Sequence, residues 1–515
     1  METCNLILLS LCLPLVLLLR RKGRPGWPQG LPPGPPVFPV VGNLLWLRRS
    51  FDDIETILRS LRARYGPVIT LHIGSRRAIF VADRTLAHKI LVQSGAVFAD
   101  RPPAAPVVRL LGPSQVNING SPYGPRWRVL RRNLTAEILH PSRVKLYGEG
   151  RGKVLGILLW ELRRQAAAGE PVVVVGCFQY AMFCLLVFMC FGEMLEEKAI
   201  REIAQVQRDF MLYLGKLDVF AFFPWIAKFV FRNRWRTILE LRQRQKDVLI
   251  PLIRSRRELM DQGGKNVSEN SFQYSYVDSL LDLEIPDGES GRNKKLTDDE
   301  MVGLCSEFLN AGTDTTSTAL QWIMANLVKH QGIQAKLFEE ISAVVGDGGD
   351  ELREEDVGKL PYLKAVVKEG LRRHSPADFL EPHAATEDAA VDGYVVPRKS
   401  TVNFMVTEIN LDAKVWDCPM EFRPERFLPG GEGADVDITG TKEIKMMPFG
   451  AGRRICPGIG LSMLHLEYFV ANLVRAFEWK PVDGEEVDLT GKLEFTIVMK
   501  NPLKARITPR HAGDM

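Results

Sequence analysis

Residues 448–458, PFGAGRRICPG, are the stretch that decides the fold of this chain of 515 residues. They follow the pattern F-G-x-G-x-R-x-C-x-G, which places Cys456 among glycines and two positions after Arg454. With each residue type near five per cent usage, these fixed positions coincide by chance about once in 10⁸ windows. Glycines let the backbone turn tightly and approach a bound group closely, and an arginine offers an anion a planar fork of donors. The stretch therefore predicts a cysteine that is held for specific chemistry.

The bulk composition narrows the class of protein. Hydrophobic residues make up 46% of the chain, enough for a large core, and the net charge is only +5. No long Lys/Arg tract or basic face stands out, so we expect no nucleic-acid partner. The chain has eight cysteines and no CxxC pair, which argues against a disulfide framework or a zinc ribbon and favours a reducing compartment.

A second motif, AGTDTT at residues 311–316, falls within a long helical pattern. That pattern begins at a capping box, Thr297-x-x-Glu300, and continues to about Lys329. Glycine, aspartate and threonine are poor residues for the middle of a helix, and such violations of local preference often mark function. The first and fifth residues of the motif are four apart and so share one helix face. By itself the motif would indicate a kinked core helix.

Two further patterns involve charged side chains. Glu369 and Arg372 form an E-x-x-R on a helical stretch, where residues three apart can pair, and Arg426 follows within the sequence FRPERF. Trp127 and Arg131 form a W-x-x-x-R. In isolation, E-x-x-R would usually be a solvated surface ion pair and W-x-x-x-R a basic amphipathic helix.

Taken in this order and spacing, the four motifs resemble the haem-thiolate signature and accompanying motifs of the cytochrome P-450 monooxygenases. The resemblance covers nearly the whole chain and implies a haem b cofactor with Cys456 as the ligand of its iron. A thiolate ligand pushes electron density toward oxygen and favours O–O cleavage. The resemblance also implies that Thr315 lies in an oxygen-binding groove and that Asp314 takes part in proton delivery.

The same resemblance implies roles for other residues and reveals two departures. His383, in the sequence EPHA, stands where family members commonly place a propionate-binding His or Arg, with an exposed loop position as the alternative. Glu381 stands where related chains usually carry an apolar residue near the substrate, and residues 410–413 replace a common x-Arg-Asp-Pro. The implied cofactor-binding residues are Cys456, Trp127, Arg131, Ala311, His383, Phe449 and Arg454. The implied structural network behind the haem consists of Glu369, Arg372 and Arg426.

The N-terminal region predicts a membrane anchor. Residues 5–19 are apolar apart from Asn5 and Ser10, and a helix of this length spans roughly 22 Å. Positive charge follows the apolar run and no A-x-A cleavage pattern is present, which favours an uncleaved anchor over a cleaved signal peptide. The positive-inside rule then keeps the rest of the chain cytoplasmic. We expect a transmembrane anchor at residues 1–22, a proline-rich hinge at 23–45 and a haem-thiolate catalytic domain at 46–515.

The rest of the sequence has mostly helical periodicity with short strand-like pieces, which predicts a mainly α protein with a small β portion. The resemblance implies the cytochrome P-450 fold with a single N-terminal anchor. Residues 172–191 are apolar enough for a second span, but they lack flanking basic residues and favour a buried core helix. Residues 217–231 are apolar and contain Pro224, which suits either the core or a loop that dips into the membrane interface.

The predicted activity is that of a haem-dependent monooxygenase that inserts one oxygen atom of O2 into a lipophilic small molecule. The motifs are most similar to plant members near the eighty-nine subfamily, which implies the endoplasmic reticulum membrane and a plant specialised metabolite. No G-x-G-x-x-G fingerprint follows a strand, so the chain should not bind NADPH itself, and the family implies electrons from an NADPH reductase. The alternatives are a haem-thiolate isomerase or dehydratase and a non-catalytic haem-binding protein.

Overall fold

The computed structural model describes residues 30–36, 52–73, 76–103, 117–214, 229–262, 274–286, 292–346 and 352–510. The predicted anchor at 1–22 lies outside these residues, as do most of the predicted hinge at 23–45 and most of the apolar run at 217–231. Among the described residues helices dominate, which confirms the mainly α prediction.

The α-helices differ widely in length, and the longest lie in the middle of the chain. They are α1 (Asp52–Tyr65), α2 (Arg84–His88), α3 (Gly95–Phe98), α4 (Pro125–Asn133), α5 (Pro141–Leu146), α6 (Gly148–Ala167), α7 (Val174–Phe191), α8 (Glu197–Leu214), α9 (Arg232–Asp261), α10 (Tyr276–Leu281), α11 (Asp298–Lys329), α12 (Gln331–Val345), α13 (Glu354–Val357), α14 (Pro361–Arg373), α15 (Val406–Asn410) and α16 (Ile459–Ala476). Two π-helical turns, Lys89–Gln93 and Leu134–Ile138, extend α2 and α4, and Pro424–Phe427 and Gly452–Arg454 are 3₁₀ turns.

The strands are short and form small sheets. They are β1 (Val68–Ile73), β2 (Arg76–Val81), β3 (Val172–Val173), β4 (Glu284–Pro286), β5 (Asn293–Lys295), β6 (His383–Ala384), β7 (Ala389–Val391), β8 (Tyr394–Val396), β9 (Thr401–Phe404), β10 (Phe477–Lys480), β11 (Gly491–Leu493), β12 (Ile497–Met499) and β13 (Lys504–Pro509). The largest sheet has the order β1-β2-β9-β6, with β2 parallel to β9 and the other neighbours antiparallel. A second sheet has the order β10-β13-β3. The pairs β4-β5, β7-β8 and β11-β12 form separate two-stranded antiparallel sheets.

Helix α11 is the central element of the core. Its predicted capping box is present, since the Thr297 side chain accepts the N–H of Glu300 and the Glu300 carboxylate accepts the N–H of Thr297. The helix then continues without a break to Lys329, as the sequence predicted. Because most of its residues are buried, α11 is enclosed by other helices over nearly its whole length.

Helix α7 packs directly against α11 and confirms the prediction of a core helix at 172–191. Among the described helices, it alone is long and apolar enough to cross a membrane, and most of it is buried inside the protein. A close approach of the two helices is possible because residue 312 is a glycine. A Cβ atom at Gly312 would lie 2.7 Å from Cδ1 of Leu186.

In two regions, contacts between segments distant in sequence determine the local structure. The helical stretch at 141–169 is divided into α5 and α6 at Tyr147, which buries its ring and donates its hydroxyl to the Tyr274 carbonyl. Within the polar segment at 262–295, α10 is almost entirely buried. The Asp278 carboxylate of α10 pairs with buried Arg256 of α9, an interaction between positions too distant in sequence for local patterns to reveal.

Candidate active site

The cysteine loop connects the 3₁₀ turn Gly452–Arg454 to α16. The N–H of Cys456 donates to the carbonyl oxygen of Phe449 at 2.9 Å, which closes the loop into a tight turn, and the Phe449 ring packs against the main core. Gly452 has a φ of +73°, and a Cβ atom there would overlap the carbonyl oxygen of Leu91. The glycine at this position is therefore required both by the backbone conformation and by the close approach of a neighbouring chain segment.

Cys456 is half-buried, and its surroundings direct positive charge toward the sulfur. Burial raises the pKa of the Cys456 thiol, while the backbone N–H of Gly458 and the guanidinium of Arg131 act in the opposite direction. The position immediately before α16 adds the positive end of a helix dipole. A metal cation bound to the sulfur would add to these positive charges. Coordination to a metal would also deprotonate the thiol outright.

The arginines around the loop converge on one region. Arg454 donates from Nε to the Ala99 carbonyl at 2.7 Å and from Nη2 to the Ser121 carbonyl at 2.6 Å. Its guanidinium lies 4.6 Å from the centre of the Trp127 ring. Arg131, one turn after Trp127 on α4, donates to the carbonyl of Ile455. The W-x-x-x-R motif and the cysteine loop are therefore adjacent in space.

His383 belongs to the same region and is buried in β6, so the exposed loop alternative for it is wrong. Its Nδ1 lies 2.7 Å from the Phe98 carbonyl oxygen, and its ring packs edge-on against Phe404. Burial and the nearby Arg101 guanidinium lower the pKa of His383 to about 3, so the ring is neutral near pH 7.

Arg101 is a residue of this region that the sequence analysis missed. It donates to the backbone carbonyls of Asn119, Glu381 and Pro382 at 2.8 to 3.0 Å, and its charge acts on both His383 and Arg454. Burial, and secondarily the charge of Arg101, lower the pKa of Arg454 to about 10. Only the juxtaposition of distant segments reveals Arg101, since its local sequence FADRP has no helical or strand periodicity.

The donors present fit the acidic groups of a haem. The indole N–H of Trp127 is buried and has no hydrogen-bond partner among the described residues. Arg454 lies over the Trp127 ring, and the charges of Arg101 and Arg131 both act on Arg454. A buried N–H donor beside clustered like charges calls for an anion, and the two propionates of haem b supply that chemistry.

The middle of α11 carries the AGTDTT motif. Ala311 and Thr315 lie on a part of the helix surface that its neighbours leave accessible, whereas Thr313 and Thr316 are buried. The Thr315 hydroxyl donates to the Ala311 carbonyl at 2.6 Å, and the Thr313 hydroxyl donates to the Leu309 carbonyl at 2.7 Å. A hydroxyl that donates to the carbonyl four residues earlier competes with the backbone hydrogen bond of the helix. Such a bond often bends the helix.

Asp314 is an acid with a perturbed environment. Burial raises the pKa of its carboxyl group, Arg208 of α8 opposes that shift, and Glu494, in the turn between β11 and β12, adds to it. Arg208 and Glu494 themselves form an ion pair at 3.7 Å. A carboxyl group whose pKa is raised holds its proton at higher pH, which suits a proton donor.

A short segment, residues 118–119, contacts both this helix and the cysteine loop. Glu307 of α11, one turn before Ala311, accepts the backbone N–H groups of Ile118 and Asn119, both at 2.7 Å. The carbonyl of Ile118 in turn accepts a bond from Nη1 of Arg454 at 3.2 Å. The Ile118–Asn119 segment therefore contacts both α11 and an arginine of the cysteine loop.

The predicted structural network is assembled and buried. Arg372 donates from Nε and Nη2 to the two carboxylate oxygens of Glu369, at 2.6 and 2.8 Å, and Arg426 donates from Nε to Glu369 at 3.2 Å. All three side chains are at most 1% exposed. Arg426 has a second acidic partner in Glu432, whereas the remaining bonds of Arg372 go to the carbonyls of Asn410 and Glu421.

Asn410, the first residue of the unusual segment 410–413, has a structural part in the same region. It is fully buried, and its side-chain oxygen accepts the backbone N–H of Met447 at 2.9 Å. Since Met447 directly precedes the cysteine loop, this contact helps to fix the position from which the loop begins.

Comparison with known proteins identifies relatives over nearly the whole chain. The Cytochrome P450 family model matches residues 32–508. The chain is 50% identical to Cytochrome P450 89A9 of Arabidopsis thaliana over 93% of this chain and 94% of that protein. It is 30% identical to a flavonoid 3'-monooxygenase of Arabidopsis thaliana over 99% of this chain and 98% of that protein.

A comparison of structures agrees on the fold. A zebrafish cytochrome P450 solved with progesterone superposes with a TM-score of 0.71, covering 88% of this chain and 99% of that one, at 24% sequence identity. At this identity the likeness bears on the fold alone, and it confirms the fold that the motifs implied.

Proposed function

Because this chain belongs to the cytochrome P450 family and is a haem-dependent monooxygenase, we propose that it inserts one oxygen atom of O2 into a lipophilic small molecule of plant specialised metabolism. Its cofactor is haem b, and in this family electrons come from NADPH through a reductase. We propose a separate membrane-bound NADPH reductase as the partner of this chain.

The observation that supports the proposal is the contact of one segment with both α11, which carries Asp314 and Thr315, and the loop that carries Cys456. The Ile118–Asn119 segment connects both parts of the site, through Arg454 on one side and Glu307 on the other. Haem b held at Cys456 supplies the activation of oxygen. The acid and hydroxyl on α11 supply protons to that chemistry, which a non-catalytic haem-binding protein or a haem-thiolate isomerase would not need.

We propose that the residues predicted from the sequence hold the cofactor. Cys456 ligates the iron through its sulfur, and Trp127 and His383 contribute ring nitrogens on the propionate side. Arg101 joins Arg131 and Arg454 there as a cation. Ala311 and Phe449 have no polar side chain to offer, and they would line the cofactor site as neutral surfaces that exclude water. The cofactor-binding residues are Cys456, Trp127, Arg131, Ala311, His383, Phe449 and Arg454, together with Arg101.

A basic surface beside the cysteine loop supports a reductase partner. Arg128 and Arg453 both lie over the ring of Tyr123, at 5.0 and 5.6 Å, and Arg132 is exposed one turn after Arg128. Arg126, the remaining arginine of this stretch, is instead paired with Glu300 at 2.8 Å. An exposed positive patch favours the approach of an acidic protein surface.

We propose that the protein is anchored to the endoplasmic reticulum membrane through residues 1–22, with the catalytic domain on the cytosolic face. Support comes from the apolar run at 5–19 followed by basic residues and the proline-rich stretch at 23–45. The membrane lipid would then also concentrate a lipophilic substrate near the active site.

The proposal is tested by the spectrum of the reduced protein with carbon monoxide. The full chain, expressed in membranes and reduced with dithionite, should give a band at roughly 450 nm, as a thiolate-ligated haem does. Supplying NADPH and a plant reductase with a plant metabolite extract should then give products heavier by one oxygen atom. A band at roughly 420 nm in folded protein would contradict thiolate ligation.

Replacing Thr315 by alanine should uncouple electron use from oxidation. The variant loses the hydroxyl on the accessible face of α11, so NADPH consumption should continue while product per NADPH falls by about tenfold, with peroxide released instead. The matched control is Thr313→Ala, which removes the same group from the buried face of the same helix turn. Equal product yields per NADPH in both variants and in the wild type would contradict the role of Thr315.

A further inference from the structure

We propose that Glu494 holds Arg208 away from Asp314 and so leaves the Asp314 carboxyl group free to carry a proton for the oxidation. The inference rests on the proposed function, which assigns Asp314 as a proton donor. It begins from an ion pair between two separate elements. Nη2 of Arg208, on α8, lies 3.7 Å from a carboxylate oxygen of Glu494, in the turn between β11 and β12. Both are positioning residues, since they act through Asp314.

Helix α8 is fixed against the face of α11 that carries Asp314. Gln207, which directly precedes Arg208, is buried, and its side-chain oxygen accepts the Ser306 hydroxyl at 2.7 Å and the Asn310 amide at 3.3 Å. Asn310 lies four residues before Asp314 and therefore on the same helix face. This face of α11 thus meets α8 directly beside Arg208.

The turn between β11 and β12 is fixed over the next turn of the same helix face. The hydroxyl groups of Thr496 and Thr318 lie 2.9 Å apart, and Thr318 follows Asp314 by four residues. The N–H of Glu494 donates to the Thr496 carbonyl at 3.0 Å, which closes the turn. Glu494 is therefore held beside the part of α11 that carries Asp314.

Arg208 has two acids within electrostatic reach and pairs with one of them. Burial raises the pKa of Asp314, the charge of Arg208 opposes that shift, and the charge of Glu494 adds to it. Among the described residues, the Asp314 carboxylate has no ion pair, whereas Arg208 pairs with Glu494. An acid that gains an ion pair with an arginine loses its proton at lower pH. Glu494 therefore favours the protonated form of Asp314 by competing for Arg208.

Other charged groups on these elements already have partners. On α8, Asp209 pairs with Arg244 of α9 at 3.6 Å, and on β11 Lys492 pairs with Glu494 at 3.0 Å. Helix α7, which also packs against α11, carries no charged residue. Loss of Glu494 would thus release two cations, Arg208 and Lys492, whose effects can be separated by replacing each of them.

The test measures the protonation of Asp314 directly in the purified full-length holoenzyme. A carboxyl group shows a carbonyl stretching band in the infrared only while it is protonated, and Asp314→Asn identifies the contribution of this residue. Difference spectra across a pH series give the ratio of protonated to ionised Asp314. Product per NADPH, with reductase and the plant metabolite extract, is measured over the same pH range.

We expect Glu494→Gln to lower the ratio of protonated to ionised Asp314 by about tenfold at a given pH, because Arg208 then pairs with Asp314. In an Arg208→Gln background the same change should lower the ratio by no more than about twofold. In a Lys492→Gln background the loss should remain about tenfold, since the competing cation is still present.

The matched control is Asp209→Asn, which breaks an ion pair of nearly the same length at the next residue of α8. This variant should leave the protonation ratio of Asp314 unchanged. A similar loss in Asp209→Asn would show that loosening of α8, and not competition for Arg208, changes Asp314, and would contradict the proposal.

Two further results would overturn it. One is an unchanged or higher ratio in Glu494→Gln, and the other is an equal loss with and without Arg208. A failure of the proposed function gives a different result. If the ratio falls as expected while the pH dependence of product per NADPH does not follow it, Glu494 controls Arg208 but Asp314 is not the proton donor. Loss of the carbon monoxide band at roughly 450 nm in the wild type would instead contradict the haem-thiolate assignment.

Discussion

Replacing Cys456 by serine will abolish the carbon monoxide band at roughly 450 nm and lower substrate oxidation by at least about 1,000-fold. A hydroxyl group of nearly the same size fits the glycine-shaped loop, and the N–H of residue 456 can still donate to the Phe449 carbonyl. The loop should therefore keep its shape while the iron loses its thiolate. Without that electron donor, the cleavage of the O–O bond is no longer favoured.

The matched control is Cys418→Ser, which makes the same chemical change at an exposed cysteine distant in sequence from the loop. This variant should keep the spectrum and the activity of the wild type. The measurements are the reduced carbon monoxide difference spectrum, the haem content per protein and product formation with NADPH and reductase. A Cys456→Ser protein that retained the band at roughly 450 nm would show that another side chain supplies the thiolate.

The parts of this molecule that local rules govern were predictable from the sequence. The boundaries of α11 follow from a capping box at Thr297 and a run of helical periodicity, and the structure has the helix at Asp298–Lys329. The cysteine loop was recognisable because its glycines are imposed by the backbone, as the positive φ of Gly452 shows. Such requirements act on neighbouring residues and therefore leave a pattern in the sequence.

The parts that depend on distant segments were not predictable in the same way. Arg101 lies beside Arg454 only because the chain folds back, and nothing in the local sequence FADRP indicates that proximity. The buried pair of Asp278 and Arg256 turned a polar segment into part of the core for the same reason. For His383, the sequence left open an exposed loop, and only the pairing of β6 with β9 decides that it is buried.

The largest effect on stability is expected from Glu369→Gln. The substitution keeps the shape of the side chain but removes the only acidic partner of Arg372 among the described residues. Breaking a buried ion pair by removing one partner typically costs about 3–5 kcal/mol, because the remaining charge is buried without compensation. Since whole domains are stable by only about 5–15 kcal/mol, we expect most of the variant to accumulate as haem-free or aggregated protein.

A control in the same part of the chain separates burial from charge. Glu425 lies in the FRPERF sequence next to Arg426, yet its ion pair with Lys336 is solvent-exposed at both ends. Glu425→Gln should therefore cost less than about 1 kcal/mol. Chemical denaturation followed by haem absorbance and by circular dichroism gives the free energy of unfolding for both variants.

The asymmetry within the network sharpens this prediction. Arg426 keeps Glu432 as a partner when Glu369 is lost, whereas Arg372 keeps only the carbonyls of Asn410 and Glu421. Replacing Arg372 together with Glu369, as Glu369→Gln with Arg372→Met, should therefore recover part of the lost free energy, since the buried guanidinium that had lost its acidic partner is also removed. If the single variant were as stable as the wild type and oxidised substrate more slowly, the network would serve the chemistry rather than the fold. The hydrogen bonds of Arg372 and Arg426 to the backbone carbonyls of Asn410, Glu421 and Cys418 favour a role in the fold.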